Sequence, residues 1–334
     1  MKIYLTGLTG HLGFNILIQL LENNYEVIAG VRNIEFSQKL VEKYIVNHRN
    51  LSLVKGDLSD KESLIDGSRG VDCVINAAAV VGLRGEKAAE QQDTNIEGVR
   101  NLLDAVVKNG IKRFIQISSI QTIESGTMSS PANETDNYRE SQSTDPYPCS
   151  KLMAEKIALS YQKKGLDIIL INPGLICGPY DIKGSAMTNL MYITKKGAGM
   201  VYPGGGIAFT DVEAAAKSAV CAIRDAKSGE RYILGGSNLS YKEIFTLLHE
   251  HTGSLRPIIA IPNVILKITA SILSFFEKIF SISFRVNSHR ILLIIRQEYY
   301  SSKRAERELD YRDQDPGASI HRGYTWLKEN NKIK

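Results

Sequence analysis

Short apolar runs alternate with amphipathic stretches along the first half of the chain. The runs are rich in β-branched and aromatic residues, which is typical of buried strands. Between the runs, apolar residues recur at helical spacing, as in Asn95–Val107. Strands that alternate with helices predict an α/β fold, a doubly wound parallel sheet with helices on both faces. The predicted strands are Ile3–Leu5, Glu26–Val31, Leu51–Val54, Val71–Ala77, Arg113–Ile117 and Asp167–Ile171.

Three glycines, Gly7, Gly10 and Gly13, lie between the first predicted strand and the first helical pattern. A turn at this place directs backbone N–H groups and the positive end of the helix dipole toward one point. Missing side chains let a pyrophosphate approach the backbone, so the turn predicts a dinucleotide site. The spacing is G-x-x-G-x-x-G rather than G-x-G-x-x-G. The alternative is a tight turn that only packs helix against strand.

Polar and small residues follow several of the other predicted strands. They include Arg32, Asp57, Asn76 and the pair Ser118–Ser119. In a doubly wound sheet, ligands bind beyond the carboxyl ends of the strands. We therefore expect these residues to lie near a bound ligand.

Tyr147 and Lys151 are four residues apart in YPCSKLMAEKIA. The apolar residues after them recur at helical spacing, so both side chains are expected on one helical face. An ammonium beside a phenol favours the phenolate and lowers the tyrosine pKa from about 10 toward neutrality. The pair therefore predicts a general acid-base group.

The pattern becomes less regular after residue 172, where the breakers GPYD, YPGGG and GGSN occur. We predict a dinucleotide-binding Rossmann domain over residues 1–172, which includes the helix of Tyr147. Residues 173–334 are expected to form a smaller, discontinuous substrate lobe, with some segments returning to the Rossmann core. The polar segment Glu124–Pro146 has no apolar period and predicts a surface loop.

An apolar helix is predicted over residues 264–284. Its most common role would be to face the core of the substrate lobe. The alternatives are contact with a hydrophobic substrate, a partner or a membrane surface. The longest uncharged stretches there fall well short of the roughly 20 apolar residues of a membrane span. The residues that recur at helical spacing are Ile265, Ile268, Ile272, Phe275, Phe276 and Ile279.

Composition and charge narrow the class of protein. The chain has 334 residues with 41 Lys and Arg against 36 Asp and Glu, and no basic block is interleaved with aromatics. This disfavours a nucleic-acid partner and is compatible with a homodimer. The four cysteines lie far apart without a CxxC pair, which predicts no metal site and a reducing, cytoplasmic location. The N-terminal apolar run is too short for a signal peptide.

The sequence resembles the extended short-chain dehydrogenases/reductases, in particular the dihydroflavonol-reductase-like and 3β-hydroxysteroid-dehydrogenase-like branch. The resemblance runs from residue 3 to about residue 330. It is carried by the order of many short motifs, namely TGLTGHLG, VKGDLSD, VINAAAVVG, DTNIEGVRNLLDA, FIQISSI, YPCSKLMAEK, INPGLICGPY, GGGIAFTDVEAAAKSA and SSKRAERELDY.

The resemblance implies a role for individual residues. Tyr147 would be the acid-base residue, and Lys151 would bind the nicotinamide ribose while tuning Tyr147. Ser119 would bond the substrate oxygen, with Ser118 beside it as the alternative. Asn95 matches a helix asparagine with a structural or a catalytic role. The residues assigned to cofactor binding are Gly7, Thr9, Gly10, His11, Leu12, Gly13, Arg32, Asp57, Leu58, Ala77, Ala78, Ala79, Tyr147, Lys151, Pro173, Gly174 and Leu175.

The cofactor is expected to be NADP rather than NAD. Members that prefer NAD often carry an acid where this chain has Arg32, and no carboxylate occurs before Glu35. An arginine can pair bidentately with a 2′-phosphate, although a solvent-facing arginine is the alternative.

The predicted activity is hydride transfer between a ketone or aldehyde and a secondary alcohol, with a small-molecule substrate and Tyr147 as the acid-base residue. The alternatives are an NAD-dependent sugar-nucleotide epimerase and a non-enzymatic dinucleotide-sensing or scaffold protein. Loss of water from a sugar nucleotide is disfavoured, because Ile120 and Gln121 stand where dehydratases of the family carry an Asp-Glu pair.

Overall fold

Strands and helices alternate along most of the chain. The fold is described from a computed structural model, which covers residues 1–81, 88–136, 146–280 and 288–333. In chain order the elements are β1 Lys2–Thr6, α1 His11–Glu22, β2 Glu26–Val31, α2 Ile34–Tyr44, β3 Leu51–Lys55, α3 Lys61–Gly67, β4 Cys73–Asn76, α4 Ala88–Gln91, α5 Gly98–Lys108, β5 Arg113–Ile117, α6 Pro146–Ser160, β6 Asp167–Pro173, β7 Leu175–Cys177, α7 Ala186–Lys195, β8 Val201–Pro203, β9 Gly206–Asp211, α8 Val212–Asp225, β10 Arg231–Leu234, β11 Ser237–Ser240, α9 Tyr241–Thr252, β12 Ile259–Ile261, α10 Asn263–Phe280, α11 Ser288–Ile294, β13 Gln297–Glu298, α12 Lys303–Glu308 and α13 Pro316–Glu329.

Seven parallel strands form the main sheet, in the order β10-β6-β5-β4-β1-β2-β3. The chain begins in the middle of the sheet at β1, adds β2 and β3 on one side, and then crosses to β4 on the other. The strand order therefore reverses between β1 and β4. A crevice opens at the carboxyl ends of two strands that diverge in this way, and it is where such sheets bind ligands.

Helices cover both faces of the main sheet. On one face, apolar side chains of α1, α2 and α8 pack in a single core with residues such as Ile3 and Leu5 of β1. On the other face, side chains of α3, α5 and α6 pack with Tyr4 and Val74. Burial on both sides explains why the strands read as continuous apolar runs. The predicted α/β fold with a doubly wound parallel sheet is confirmed.

The predicted strands agree closely with the observed ones. Glu26–Val31 and Arg113–Ile117 have the predicted bounds, whereas the prediction over Val71–Ala77 shortens to β4. The helix predicted from Asn95 begins earlier, at α4, and continues through a π-helical stretch, Gln92–Glu97, into α5. The irregular stretch brings Asn95 to face the first residues beyond β4, as described below.

Smaller sheets follow the sixth strand. In one, β9 pairs with β7, β11 and β13, and in another β12 pairs with β8. Within the described part of the chain, one later strand returns to the main sheet, where β10 pairs with β6 as an edge strand. The predicted polar loop is tied to the C-terminal part of the chain by bridges from Gly126 to Tyr299 and from Ala132 to Tyr300. Residues 137–145 of that loop lie outside the described residues.

The apolar helix predicted over residues 264–284 is α10, and residues 281–284 lie outside the described part of the chain. The expectation that its predicted stripe faces the core is wrong. Leu266 and Ala270 of α10 pack on Ile291 of α11, and these residues lie on a different face of the helix. The side chain of Ile279 is not among those described. The stripe residues found exposed are Ile265, Ile268, Ile272, Phe275 and Phe276.

None of the helices in the described ranges is both long enough and apolar enough to cross a membrane.

Candidate active site

The glycine turn joins β1 to α1 in very close contact with the end of β4. Gly7 has φ of +79°, which favours glycine, and a Cβ there would lie 2.4 Å from the carbonyl carbon of Ala77. A Cβ on Gly13 would lie 2.2 Å from the carbonyl oxygen of Gly7. Both positions therefore exclude any side chain, and the packing interpretation of the turn holds for Gly7 and Gly13.

Gly10 has a different environment. It is the N-cap of α1, and no side chain caps that helix end or places an acid in its first turn. A Cβ on Gly10 would meet only the Gly7 oxygen, at 3.2 Å. The first N–H groups of α1, including those of His11 and Leu12, are therefore left for another acceptor. A bare helix N-terminus suits an anion, so the turn fits the pyrophosphate of a dinucleotide.

The side chain of His11 faces a later loop. Its Nε2 lies 3.1 Å from the carbonyl oxygen of Pro179, which also accepts a hydrogen bond from Asn15 Nδ2 at 3.2 Å. Burial lowers the pKa of His11, against the opposing effect of the nearby Asp181 carboxylate. His11 therefore contributes its backbone to the turn, while its ring fastens the loop that follows β7.

The same loop places Lys183 over the glycine turn. Lys183 Nζ donates a hydrogen bond to Thr9 Oγ1 at 2.8 Å. Partial burial and then the positive charge of Arg32 lower the pKa of Lys183. Within the described residues, no carboxylate forms an ion pair with Lys183 or with the exposed Arg32. Two cations and the Thr9 hydroxyl thus lie together beyond β1 and β2, and sequence reasoning missed Lys183.

Asp181 fixes the loop that carries Lys183. Its Oδ2 accepts hydrogen bonds from the backbone nitrogen of Ser185, at 2.6 Å, and from Thr188 Oγ1, at 2.5 Å. These contacts lie at the N-terminus of α7, and Ser185 caps that helix. The loop is therefore held at both ends, by α7 and by α1.

A row of buried polar side chains crosses the sheet below the crevice. Thr6 Oγ1 donates to Asn76 Oδ1 at 2.5 Å, and Asn76 Nδ2 donates to Gln116 Oε1 at 2.9 Å. The three residues belong to the neighbouring strands β1, β4 and β5. The row fixes the backbone just before Ala77, Ala78 and Ala79, the residues predicted to line the cofactor cleft. These three alanines are half-buried.

Asp57 and Leu58, just after β3, differ in how far their side chains are buried. Asp57 Oδ1 accepts hydrogen bonds from the nitrogen and hydroxyl of Ser59, at 3.0 and 2.9 Å. Leu58 is buried against α5. A Cβ added to Gly98 of α5 would lie 2.7 Å from the Cβ of Leu58. Asp57 is half-exposed, while the Leu58 side chain belongs mainly to the core.

The first turns of α6 bring Lys151 to the end of β5. Lys151 is buried, and its Nζ donates to the carbonyl oxygen of Ile117 at 2.6 Å. Tyr147, half-buried, lies one turn earlier on the same helix. Burial lowers the pKa of Lys151 to about 8, and the Glu155 carboxylate opposes that shift. The contact joins the predicted acid-base pair to the residue just before Ser118 and Ser119.

The two serines have different hydrogen bonds. Ser119 Oγ accepts from the Gln121 nitrogen at 3.2 Å and caps a short 3₁₀ turn. A hydroxyl that accepts in this way keeps its proton for donation. Ser118 Oγ is buried and has no hydrogen-bond partner among the described residues. Because Ser118 Oγ is fully buried, Ser119 is the more accessible of the two possible donors at the end of β5.

A buried network that sequence reasoning missed underlies Ser119. Glu155 Oε1 accepts from Thr122 Oγ1 at 2.8 Å and from Asn172 Nδ2 at 2.7 Å, and Oε2 pairs with Arg231 at 2.5 Å. Asn172 Nδ2 also donates to the Ser119 carbonyl oxygen at 2.9 Å. The network locks the serine loop to α6, β6 and β10. Its only signal in the sequence was Glu155, one helical turn after Lys151.

Asn95 holds the loop after β4 against α6. Its amide exchanges two hydrogen bonds with the backbone of Val80, at 2.8 and 3.0 Å. Its Nδ2 also donates to Ser150 Oγ at 3.0 Å. These contacts support the structural alternative for Asn95, as a residue that positions the loop after β4 relative to the helix of Tyr147.

Pro173, Gly174 and Leu175 carry the chain from the main sheet to a smaller one. The Gly174 nitrogen donates to the Leu234 carbonyl oxygen and to Thr210 Oγ1, both at 3.1 Å. A Cβ there would lie 2.5 Å from the Ala208 carbonyl oxygen. The segment therefore crosses between β9 and β10 where only glycine fits.

Comparison with known proteins agrees with this arrangement. The model of the NAD dependent epimerase/dehydratase family matches residues 3–235. Sterol demethylase protein B of Methylococcus capsulatus is 26% identical over 335 residues, which is 100% of each chain. A putative dihydroflavonol 4-reductase of Synechocystis is 30% identical over 265 residues, which cover 78% of this chain and 75% of that protein.

Among solved structures, the crystal structure of gox2253 is similar to this chain with a TM-score of 0.88 and 26% identity. The similarity covers 100% of this chain and 99% of that one. The family model spans most of the sequence, and the fold and motifs agree with it. Members of this family are NAD(P)-dependent enzymes with small-molecule substrates. This protein therefore belongs to the NAD-dependent epimerase/dehydratase family of extended short-chain dehydrogenases/reductases.

Proposed function

We propose that this enzyme is an NADP(H)-dependent oxidoreductase that interconverts a ketone or aldehyde and an alcohol. The observation that carries the proposal is the contact between Lys151 Nζ and the Ile117 carbonyl oxygen, which joins the Tyr147 helix to the Ser119 loop. An acid-base phenol and a hydroxyl donor beside a dinucleotide crevice are what carbonyl reduction requires of the protein.

The nicotinamide, when bound, supplies or accepts the hydride. In the direction of reduction, the Tyr147 hydroxyl gives its proton to the substrate oxygen as that oxygen gains negative charge. Ser119 donates a hydrogen bond to the same oxygen. Below pH 8 the Lys151 ammonium is charged, and its charge favours the phenolate that Tyr147 becomes. In the direction of oxidation the phenolate takes the proton back.

The substrate is proposed to be a ring-containing, largely apolar molecule. Two relatives that match most of the chain are named for a sterol and a dihydroflavonol, and both are polycyclic compounds. A sugar-nucleotide epimerase is the alternative, which the family description favours. A cytoplasmic location is proposed as well, since no disulfide joins the four cysteines in the described structure.

Turnover with added cofactor separates these possibilities. We expect NADPH to be consumed steadily and in stoichiometric amounts with polycyclic ketones, as measured by its absorbance and by product analysis. An epimerase would convert a sugar nucleotide without net consumption of cofactor. A cofactor-sensing or scaffold protein would bind NADPH and turn over neither kind of substrate. Either of those outcomes would refute the oxidoreductase.

The 2′-phosphate of NADP is proposed to bind between Arg32 and Lys183, near Thr9. We expect NADPH to bind at least about tenfold more tightly than NADH, because hydrogen bonds to a charged group contribute about 1.5–3 kcal/mol. Arg32→Asp should reverse that order without loss of folding, since Arg32 is exposed. Lys183→Met should weaken NADPH binding and leave NADH binding almost unchanged. Titration by cofactor fluorescence measures the affinity of each of the three proteins for NADPH and for NADH.

Lys217→Met is the matched control, because Lys217 is an exposed lysine that pairs with Asp310 at 3.0 Å. It should leave both affinities unchanged. Equal binding of NADPH and NADH by the unmodified enzyme would contradict the assignment of Arg32. An equal loss of both nucleotides in Lys183→Met would instead place Lys183 at a phosphate that the two cofactors share.

A further inference from the structure

Helix α10 carries an apolar stripe that the described protein leaves uncovered. Five of its large side chains are 53 to 66% exposed. At about 100° per residue they occupy one arc of about 100° on the helix surface. Isolated apolar residues on a surface are ordinary, but a contiguous stripe of this kind marks an interaction surface. Four of the five belong to the predicted stripe, namely Ile265, Ile268, Ile272 and Phe275, and Val264 adjoins them; Phe276 of that stripe is less exposed.

The stripe is separate from the part of α10 that stabilises the fold. Leu266 and Ala270 pack on Ile291, and Leu273 and Ile295 cover the edges of that cluster. The helix therefore has two apolar faces, and among the described residues only one of them packs against other parts of the chain.

The segment that leads into α10 is also apolar and exposed. Leu255, Ile258 and Ile259 are 48, 65 and 50% exposed, although β12 is paired with β8 and the Ile258 nitrogen donates to the Met200 carbonyl oxygen. The hydrogen bonds fix the backbone of this segment while its apolar side chains are exposed to solvent. The segment therefore forms an apolar surface before any partner binds. Exposed apolar residues therefore continue along the chain from residue 255 to residue 275.

The net charge of the protein is concentrated in the same region. Residues 255–296 contain six of the 41 Lys and Arg residues but only one of the 36 Asp and Glu residues, Glu277. This region accounts for the whole formal charge of +5, and the rest of the chain holds 35 residues of each sign. Arg256 and Lys267 are exposed, whereas Glu277 accepts hydrogen bonds from the nitrogen and hydroxyl of Ser288.

We propose that α10 and the segment before it dock this enzyme on the surface of an anionic lipid bilayer. The helix lies parallel to the bilayer, its stripe enters the boundary between headgroups and acyl chains, and the exposed Arg256 and Lys267 interact with anionic headgroups. A second copy of the chain would also cover the stripe, but it would bring the exposed Arg256 and Lys267 of two positively charged regions together. The proposal does not depend on the reaction that the enzyme catalyses.

Flotation with lipid vesicles tests the proposal on the full-length enzyme. We expect binding to vesicles of phosphatidylcholine mixed with phosphatidylglycerol, much weaker binding to phosphatidylcholine alone, and a decrease with added salt. The double variant Ile268→Glu with Phe275→Glu should lower partitioning to the anionic vesicles at least tenfold. Val46→Glu with Val107→Glu is the matched control, since it replaces two exposed apolar residues elsewhere and should bind like the unmodified enzyme.

Lys267→Glu gives a second test that leaves the stripe intact. Because Lys267 is exposed, this variant should remain folded and should lose part of its binding to anionic vesicles only. The proposal is overturned if the unmodified enzyme does not float with anionic vesicles, or if the α10 double variant floats equally well. It is also overturned if sedimentation shows a dimer that the double variant converts to a monomer while neither form binds lipid.

Discussion

Replacement of Tyr147 by Phe should remove nearly all turnover while cofactor binding persists. The phenyl ring keeps the packing of the first turn of α6, and only the hydroxyl that transfers the proton is lost. A general acid-base group contributes about 10²- to 10⁴-fold to the rate, so kcat should fall by that factor. Steady-state kinetics with an identified carbonyl substrate measures the fall, and cofactor fluorescence measures the retained binding.

Tyr161→Phe is the control for this change. Tyr161 follows α6, and its hydroxyl donates to Asp104 Oδ1 at 2.6 Å, away from the crevice. Its loss should leave turnover intact. Ser119→Ala should lower kcat with cofactor affinity kept, and Ser118→Ala tests the neighbouring hydroxyl in the same way. A Tyr147→Phe enzyme that retains more than about a third of the original kcat would contradict the proton-transfer role, given the magnitude expected of such groups.

Replacement of Lys151 by Met should lower the rate of the reaction. The same change should raise the stability of the protein when no nucleotide is bound. The variant lacks the charge that favours the phenolate and should lose about 10²-fold in kcat, together with cofactor affinity. The stability gain arises because Lys151 is buried and its pKa is lowered to about 8. A decrease from 10.5 to about 8 corresponds to about 3 kcal/mol, part of which is offset by the lost hydrogen bond to Ile117. We expect a net gain of about 1–2 kcal/mol at pH 7.

The pH dependence identifies the cause of this gain. The pKa of Lys151 is lower in the folded than in the unfolded chain, so between about pH 8 and 10.5 the unfolded chain binds the additional proton. Stability of the unmodified protein therefore rises with pH across that window, and the cost of burying the charge is fully present below it. The difference between Lys151→Met and the unmodified protein should shrink as pH rises.

Denaturant unfolding at several pH values measures these differences. Lys156→Met is the control, because Lys156 is exposed on the same helix. Its effect on stability should be small. A Lys151→Met protein that is less stable at pH 7 and 10 alike would show that the hydrogen bond to Ile117 outweighs the burial of the charge.

The local features of the fold and candidate site could be predicted from the sequence. Apolar runs located the strands because the main sheet is buried on both faces, so that each strand reads as an uninterrupted run. Tyr147 and Lys151 could be paired because helical geometry relates residues four apart. The glycine turn could be recognised because both of its neighbours, β1 and α1, are adjacent in the chain.

Contacts between distant parts of the chain could not be predicted in this way. Lys183 reaches Thr9 from 174 residues away, through a loop whose course depends on Asp181 and His11. For α10, periodicity identified the apolar positions but could not decide which of two apolar faces the rest of the chain covers. That choice is made by packing against α11, which no local pattern encodes.

The ion pair between Glu155 and Arg231 limits how this enzyme can be recombined with its relatives. Arg231 belongs to β10, in the part of the chain after residue 172 that is predicted to form most of the substrate lobe, yet it pairs with a carboxylate beneath Ser119. A chimera that takes everything after residue 172 from another family member replaces Arg231 as well. Unless the donor restores an arginine there, Glu155 loses its ion-pair partner, and breaking a buried ion pair in this way typically costs about 3–5 kcal/mol. Recombination designed to change specificity must therefore retain β10 with the N-terminal half and exchange only the segments on either side of it.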